Sequence, residues 1–282
     1  MTGPVRKLLA ALVAASTVMA AMPGTLHAAE EPLWEAGAGA VVLDFPDYRG
    51  SDERHTLILP IPYLVYRGDF FKADRDSIRG QLYKDDRLDL HLSINGSIPV
   101  DSNENAARRG RPDLDPPLEI GPNRTVRLVH TDTTHLNLRF PVRVVLATDL
   151  SHVHDEGLVF APQINVDFYD QFPGPGWDFG LAAGPMFANK RYHNYFYGVA
   201  PQFATPERPA FEASSGYAGM QWIASLSKRF PSYWVGGFVR ADTLSGAVFD
   251  ESPLVKQKNS LSFGIAASWV FSRSSKMVNV DE

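Results

Sequence analysis

The residues best suited to chemistry fall in one short stretch. Asp89, His91 and Ser93 stand at alternate positions, an acid, a base and a hydroxyl. An acid can orient an imidazole, and the imidazole can take the proton of a serine nucleophile. The spacing works against that use: alternate residues of an extended chain share a face but step about 7 Å apart. A hydrogen-bonded polar network is the use this spacing favours. His152 and His154, beside Asp155, would place two metal ligands on one side of an extended segment. No third ligand lies near them in sequence, and a solvated loop accounts for them. The sequence contains no glycine-rich phosphate loop, no Gly-x-Ser-x-Gly elbow and no His-Glu-x-x-His. It also has no cysteine, which excludes thiolate zinc sites and cysteine nucleophiles. No catalytic residue, cofactor or metal is expected.

The elements that must carry these residues are read from alternation. Leu88, Leu90, Leu92, Ile94 and Ile98 share one face, and Asp89, His91, Ser93, Asn95 and Ser97 the other. From Leu136 to Leu146, the apolar face Leu136, Leu138, Phe140, Val142, Val144 and Leu146 opposes Asn137, Arg139 and Arg143. Leu158, Phe160, Ile164, Val166 and Phe168 oppose Gln163, Asn165 and Asp167. Leu261, Phe263, Ile265, Ala267, Trp269 and Phe271 oppose Ser262, Gly264, Ala266 and Ser268. Period-two patterning of this kind predicts strands with one apolar face. Residues 33–43, 56–66, 70–83, 118–130, 177–189, 215–228 and 233–245 are weaker candidates, and no amphipathic helix competes with them.

Strands of soluble proteins run to about 5–6 residues. These candidates are twice as long and match the roughly 9–11 residues that a tilted strand needs to cross a bilayer. Charges on the non-apolar faces, Asp89, Arg139, Arg143, Asp167, Asp178 and Arg240, need water or partners, and a polar lumen supplies both. With His91 they form an expected lumen network, in which Arg139 and Arg143 pair with Asp89, Glu119, Asp167 or Asp178. Trp34, Tyr63, Tyr66, Phe168, Trp177, Tyr233, Trp269 and Phe271 fall near strand ends, where rings with a polar edge mark the membrane interfaces. The predicted fold is therefore all-β: a closed antiparallel transmembrane barrel, since an open edge in lipid would leave backbone groups unpaired. Eleven candidates are visible, and single-chain barrels of this kind have even strand numbers. Twelve strands are expected, with ten as the alternative, and the hidden strand lies in 46–73 or 195–203. Segments 84–87, 131–134, 173–176 and 231–232 read as short periplasmic turns, and 99–117, 190–213 and 247–258 as extracellular loops. Mixed charges argue for a filled or narrow lumen, because about 16–18 strands are needed to leave an aqueous channel. Outer-membrane lipid hydrolases also carry a His-x-Ser pair on a barrel strand. His91-Leu92-Ser93 has that spacing, but here the leucines take the lipid side.

The first residues set the address. Arg6 and Lys7 precede an apolar run from Leu8 to Ala21, then Pro23, Gly24 and the small pair Ala28 and Ala29. That order predicts a secretory signal peptide over 1–29, leaving 30–282 as the barrel domain. The run falls short of the roughly 20 residues of a spanning helix. Its removal takes two positive charges and no acid from a chain whose net charge is −5. An acidic secreted chain is a poor partner for nucleic acid, which demands a basic face; the expected partner is outer-membrane lipid.

Several segments together resemble one family. They are Pro46-Asp47-Tyr48-Arg49-Gly50-Ser51-Asp52, the run from Pro60-Ile61-Pro62-Tyr63 to Asp69-Phe70-Phe71, and Asp113-Leu114-Asp115. Further along come Tyr192-His193-Asn194-Tyr195-Phe196-Tyr197-Gly198-Val199, Ser215-Gly216-Tyr217 and Glu251-Ser252-Pro253-Leu254-Val255. In order and spacing this resembles the MipA/OmpV family, the MltA-interacting proteins. One departure is that residues 272–282 follow Phe271, where such barrels usually end on an aromatic. The resemblance implies a non-enzymatic outer-membrane scaffold that brings a murein transglycosylase and a murein synthase together in peptidoglycan assembly. It supplies no catalytic residues. A narrow channel or solute-responsive porin is the alternative function. The segments 46–52 and 192–199 are the expected places for a specific job.

Overall fold

The computed structural model describes residues 30–279, apart from 69, 74–77, 86, 97 and 149–151. The expected signal peptide, 1–29, lies outside the described residues.

The strands are β1 (Glu30–Pro32), β2 (Trp34–Pro46), β3 (Arg54–Arg67), β4 (Phe71–Ala73), β5 (Ile78–Lys84), β6 (Leu88–Gly96), β7 (Pro117–His130) and β8 (Thr134–Thr148). They continue as β9 (Val153–Phe160), β10 (Gln163–Tyr169), β11 (Trp177–Ala188), β12 (Gly216–Arg229), β13 (Tyr233–Thr243), β14 (Asn259–Arg273) and β15 (Met277–Asn279). Between β11 and β12 stand an α-helix, α1 (Lys190–Tyr197), and a 3-10 turn, Pro201–Phe203. Thirteen strands form one antiparallel sheet in the order β10-β11-β12-β13-β14-β2-β3-β4-β5-β6-β7-β8-β9, and β1 pairs β15 separately. β10 bonds to both β8 and β11, and β11 also bonds to β9.

The expected alternation is what the sheet displays. In β6, Asp89, His91 and Ser93 are buried, while Leu92 is exposed and Leu88, Leu90 and Ile94 are half-buried. In β14, Leu261, Phe263, Ile265, Trp269 and Phe271 are exposed, and Ser260, Gly264, Ala266, Ser268 and Val270 are buried. On these two strands the apolar side chains face mostly outward and the polar or small ones inward. Trp34, Tyr66, Tyr233, Trp269 and Phe271 all lie exposed, as interface aromatics should. Tyr63 does not join them: it is buried on the inner face with Ile61 and Val65. Both faces of β3 are apolar, so its parity could not be read from composition.

Three assignments change. The candidate 70–83 is not one strand but β4 and β5, which pair with each other, so the hidden strand is β4, within 46–73. The candidate over 158–168 breaks at Ala161–Pro162 into β9 and β10. Pro141 stands opposite on β8, between the Val142–Phe160 and Arg139–Gln163 pairs; two prolines remove ladder donors at the same level. Third, a helix exists where none was expected. α1 begins at Asn189, whose side chain accepts from the Tyr192 amide, the usual capping arrangement. Eight residues are too few to show a 3.6-residue period.

The short connections fall together at one end. Thr131 donates its amide to Thr134, and Phe230 to Tyr233. The Asp85 carboxylate accepts the amides of Arg87 and Leu88, which holds it below the usual carboxylate range. The long connections gather at the other end.

Candidate functional site

The inner face carries two kinds of lining. β2, β3, β13 and β14 present an apolar wall that includes Val41, Leu43, Ile61, Tyr63, Val65 and Trp234. Gly264 makes room for it, since a Cβ there would lie 2.3 Å from the Phe238 ring and 2.7 Å from Leu43. β6, β7, β8 and β10 present a polar wall, with Asp89, His91, Ser93, Asn123, Thr125, His135, Asn137, Asn165 and Asp167 buried.

On the polar wall, His91 Nδ1 lies 2.9 Å from Asp89 Oδ1 and its Nε2 lies 3.2 Å from Asn123 Nδ2. The amide nitrogen of Asn123 can only donate, so Nε2 accepts and Nδ1 donates to Asp89. Gln81 Nε2 also donates to Asp89, at 3.0 Å. Ser93 Oγ donates to the Gly121 carbonyl and accepts from Arg143 Nε, both at 3.3 Å. Both ends of the imidazole and the serine hydroxyl are thus occupied by other groups, and no bond joins His91 to Ser93 among the described residues. The three residues brought together at alternate positions form a network, and the relay of a nucleophile is not assembled.

The other charged positions divide. Arg143 pairs with Glu119 at 3.5 Å. Arg240 binds Asp242 through two nitrogens, at 2.8 and 2.9 Å. Asp167 accepts from Asn165 at 2.8 Å, and Asp178 is buried on β11. Arg139 acts on Asp167 through its charge, though no direct ion pair of Arg139 is seen among the described residues. His152 and His154 are exposed, with rings 6.2 Å apart.

Sequence reasoning missed two charged clusters. At the short-turn end, buried Glu35 is held by Arg67 at 2.8 Å and by Arg229. At the other end, Arg49 leaves the connection 47–53 and reaches Asp242 at 2.8 Å. Asp242 therefore neutralises two guanidinium groups. Its signal was present, because Asp242 continues the inward parity of Arg240. Glu35 gave less, since Gly37 and Gly39 blur the alternation of β2.

Above Asp242 the long connections close over the sheet. Tyr48 OH donates to the Leu254 carbonyl at 2.8 Å, and Tyr197 OH to the Arg49 carbonyl at 2.9 Å. Asn105 Nδ2 bonds to Asp47 at 2.7 Å and to Ser51 at 3.1 Å. Arg108, 1% exposed, donates to the Phe196 carbonyl at 3.0 Å and lies over the Tyr48 ring. Tyr48, Leu114, Tyr192, Tyr197, Leu244 and Phe249 form one apolar cluster with Val145, Val159 and Ala218 of the sheet. Burial raises the Tyr48 and Tyr197 phenols above their ordinary value, which keeps both as donors. Burial, aided by Arg108 and Arg208, pulls Arg111 down to about 10. The segments 46–52 and 192–199 are both parts of this cap.

A sheet of long strands with apolar side chains outward and a partly polar interior under a cap is built for lipid surroundings, and it defines an outer-membrane protein. Among the described residues, no helix is long and apolar enough to cross a membrane. The chain belongs to the MipA family, described as MltA-interacting protein MipA, whose profile matches residues 36–271. No curated protein sequence matches it. Among solved structures, a bacterial polysaccharide outer membrane secretin is similar at 8% identity and a TM-score of 0.45, over 84% of this chain and 99% of that one. The NanC porin is similar at 10% identity and a TM-score of 0.36, over 84% and 98%. OmpT of Vibrio cholerae gives 8% identity and 0.38, over 86% and 99%.

Proposed function

We propose that this chain is a closed twelve-strand barrel of the outer membrane that acts as a non-enzymatic scaffold for murein-processing enzymes. Closure is supported by the double pairing of β10, which bonds to β8 on one side and β11 on the other. β9 and β10 lie end to end against β8 and β11, so they count as one interrupted strand. The short turns face the periplasm, the capped end faces outward, and residues 1–29 are a leader cleaved after Ala29.

The observation that carries the scaffold reading is the cap. Connections 47–53, 98–116, 189–215 and 244–258 are bonded to one another and packed into a shared apolar cluster. A barrel shut in this way is better suited to holding partners than to passing solutes. The family description, MltA-interacting protein, supports a murein transglycosylase as one partner; a murein synthase is the other. In-cell crosslinking from cysteines in the short turns, near Asp132 and Ser232, should capture murein enzymes. Crosslinks that contain none would overturn the reading.

The polar wall of β6 to β10 favours a second reading, a narrow channel. Planar-bilayer recording of the purified protein separates the two: steady conductance supports the channel, and silence removes it.

A further inference from the structure

At the capped end, the outer surface of the wall bears a groove of about 670 Å³. Its floor is the directly opposed pair Val144 of β8 and Leu158 of β9, both exposed. Its rim is charged: Lys190 and Arg191 of α1, and Asp155 of β9.

The groove is built by a local distortion. The β8–β9 ladder shifts register between Val145 and Leu146, opposite residues 155–157. Gly157 takes a φ of 115°, and a Cβ there would lie 2.1 Å from Asn189 Oδ1 and 2.9 Å from the Tyr192 amide. Only glycine has that backbone freedom without steric cost. It lets the first turn of α1 lean onto the wall, which sets two cations directly above apolar side chains.

Below the groove the floor continues without a break. Val142 and Phe160 are the next opposed pair outward, and the Phe160 ring stacks with Phe187 at 6.3 Å. This strip is part of the lipid-facing surface of an outer-membrane protein, so whatever fills the groove lies alongside membrane lipid. Among the described residues, the cations pair with exposed acids: Lys190 with Glu212 at 2.5 Å, and Arg191 with Asp155. Exposed pairs of this kind contribute about 0–1 kcal/mol. A phosphate, with up to two charges and several acceptor oxygens, competes well for both cations.

We propose that this groove binds a phosphorylated membrane lipid, with the phosphate on Lys190 and Arg191 and an acyl chain along Val144 and Leu158. The assignment concerns the outer wall and is independent of what the lumen or the periplasmic turns do. Neither cation alone makes the site; the apolar floor joined to the lipid-facing strip is what selects a lipid over a free anion.

The test uses full-length protein in detergent micelles and fluorescent bis-phosphorylated lipid A as the probe. The wild type should bind it about tenfold more tightly than K190Q/R191Q, a ratio worth about 1.4 kcal/mol. Dephosphorylated lipid A should bind both proteins alike and weakly, and millimolar inorganic phosphate should not displace the probe. Equal binding of the phosphorylated probe by both proteins would overturn the proposal. So would full displacement by inorganic phosphate, which would mark a site for the free anion. Heat-dependent gel mobility reports separately whether the variant has folded as a barrel. If it has not, the competition series on the wild type decides.

Discussion

The ring of Tyr197 lies flat on that of Phe249, with centroids 3.7 Å apart and planes 7° from parallel. One ring ends α1 and the other belongs to the connection between β13 and β14. The Tyr197 hydroxyl also reaches back to the Arg49 carbonyl, so one side chain fastens three connections that are far apart in sequence.

Replacing it should release the cap. Tyr197→Ala is expected to cost about 3–5 kcal/mol, as for other buried aromatics cut to alanine. Tyr197→Phe keeps the stack and loses one hydrogen bond, for about 1 kcal/mol. Tryptic cleavage at exposed Arg109 measures the release and should rise strongly in the first variant and little in the second.

Among the described residues, Asp242 is the one acid that touches both Arg49 and Arg240. Asp242→Asn leaves two guanidinium groups near each other without the acid that touches both, and breaking a buried pair costs about 3–5 kcal/mol. Adding Arg49→Met should recover part of the loss, with a coupling of about 0.5–3 kcal/mol. The temperature at which gel mobility changes reads both values. Independent, additive effects would refute the three-residue contact.

His193 is fully buried, and its Nδ1 donates to the Ser214 carbonyl at 2.6 Å. Burial holds its pKa below the ordinary 6.5, with Arg49 adding to the effect and the Ser214 bond opposing it. A depressed imidazole leaves the unfolded chain taking up the proton first, so its contribution is intact above about pH 6.5. It is lost as pH falls from there toward the lower folded value. Proteolysis of the 189–215 connection should therefore accelerate between pH 7.5 and 5.5. His193→Gln should flatten that dependence; an unchanged profile would point to a different titrating group.

Ser93 is engaged by Gly121 and Arg143, and His91 by Asp89 and Asn123. A Ser93→Ala strain should therefore keep the lipid composition of the wild type, measured by mass spectrometry of whole-cell extracts. A change in acyl-chain hydrolysis products would restore the catalytic reading.

Much of this was legible in the residues. The wall strands that alternate cleanly, β6, β8 and β14, could be assigned with their faces, because each has one apolar and one polar side. That alone turned Asp89, His91 and Ser93 inward. β3 was harder, since Tyr63 and Tyr66 differ in side but not in character. The cap was the least legible. Tyr48, Arg108, Tyr197 and Phe249 are brought together over separations of up to about two hundred residues, and no local period encodes such contacts. α1 is too short to announce itself. Arg49 falls in the segment 46–52 that the sequence marks for a specific job, but its bond to Asp242 depends on how that segment folds back over the sheet.

The pairing of β1 with β15 places Glu30 directly opposite Asn279. Opposed residues of antiparallel strands have Cα atoms about 4.5–5.5 Å apart, a gap that a tight two-residue turn can close. The order in which the strands occur along the polypeptide is therefore separable from the order in which they neighbour one another. A circular permutant that joins those two residues and opens instead at exposed Pro175 would keep every wall pairing while beginning its synthesis at β11.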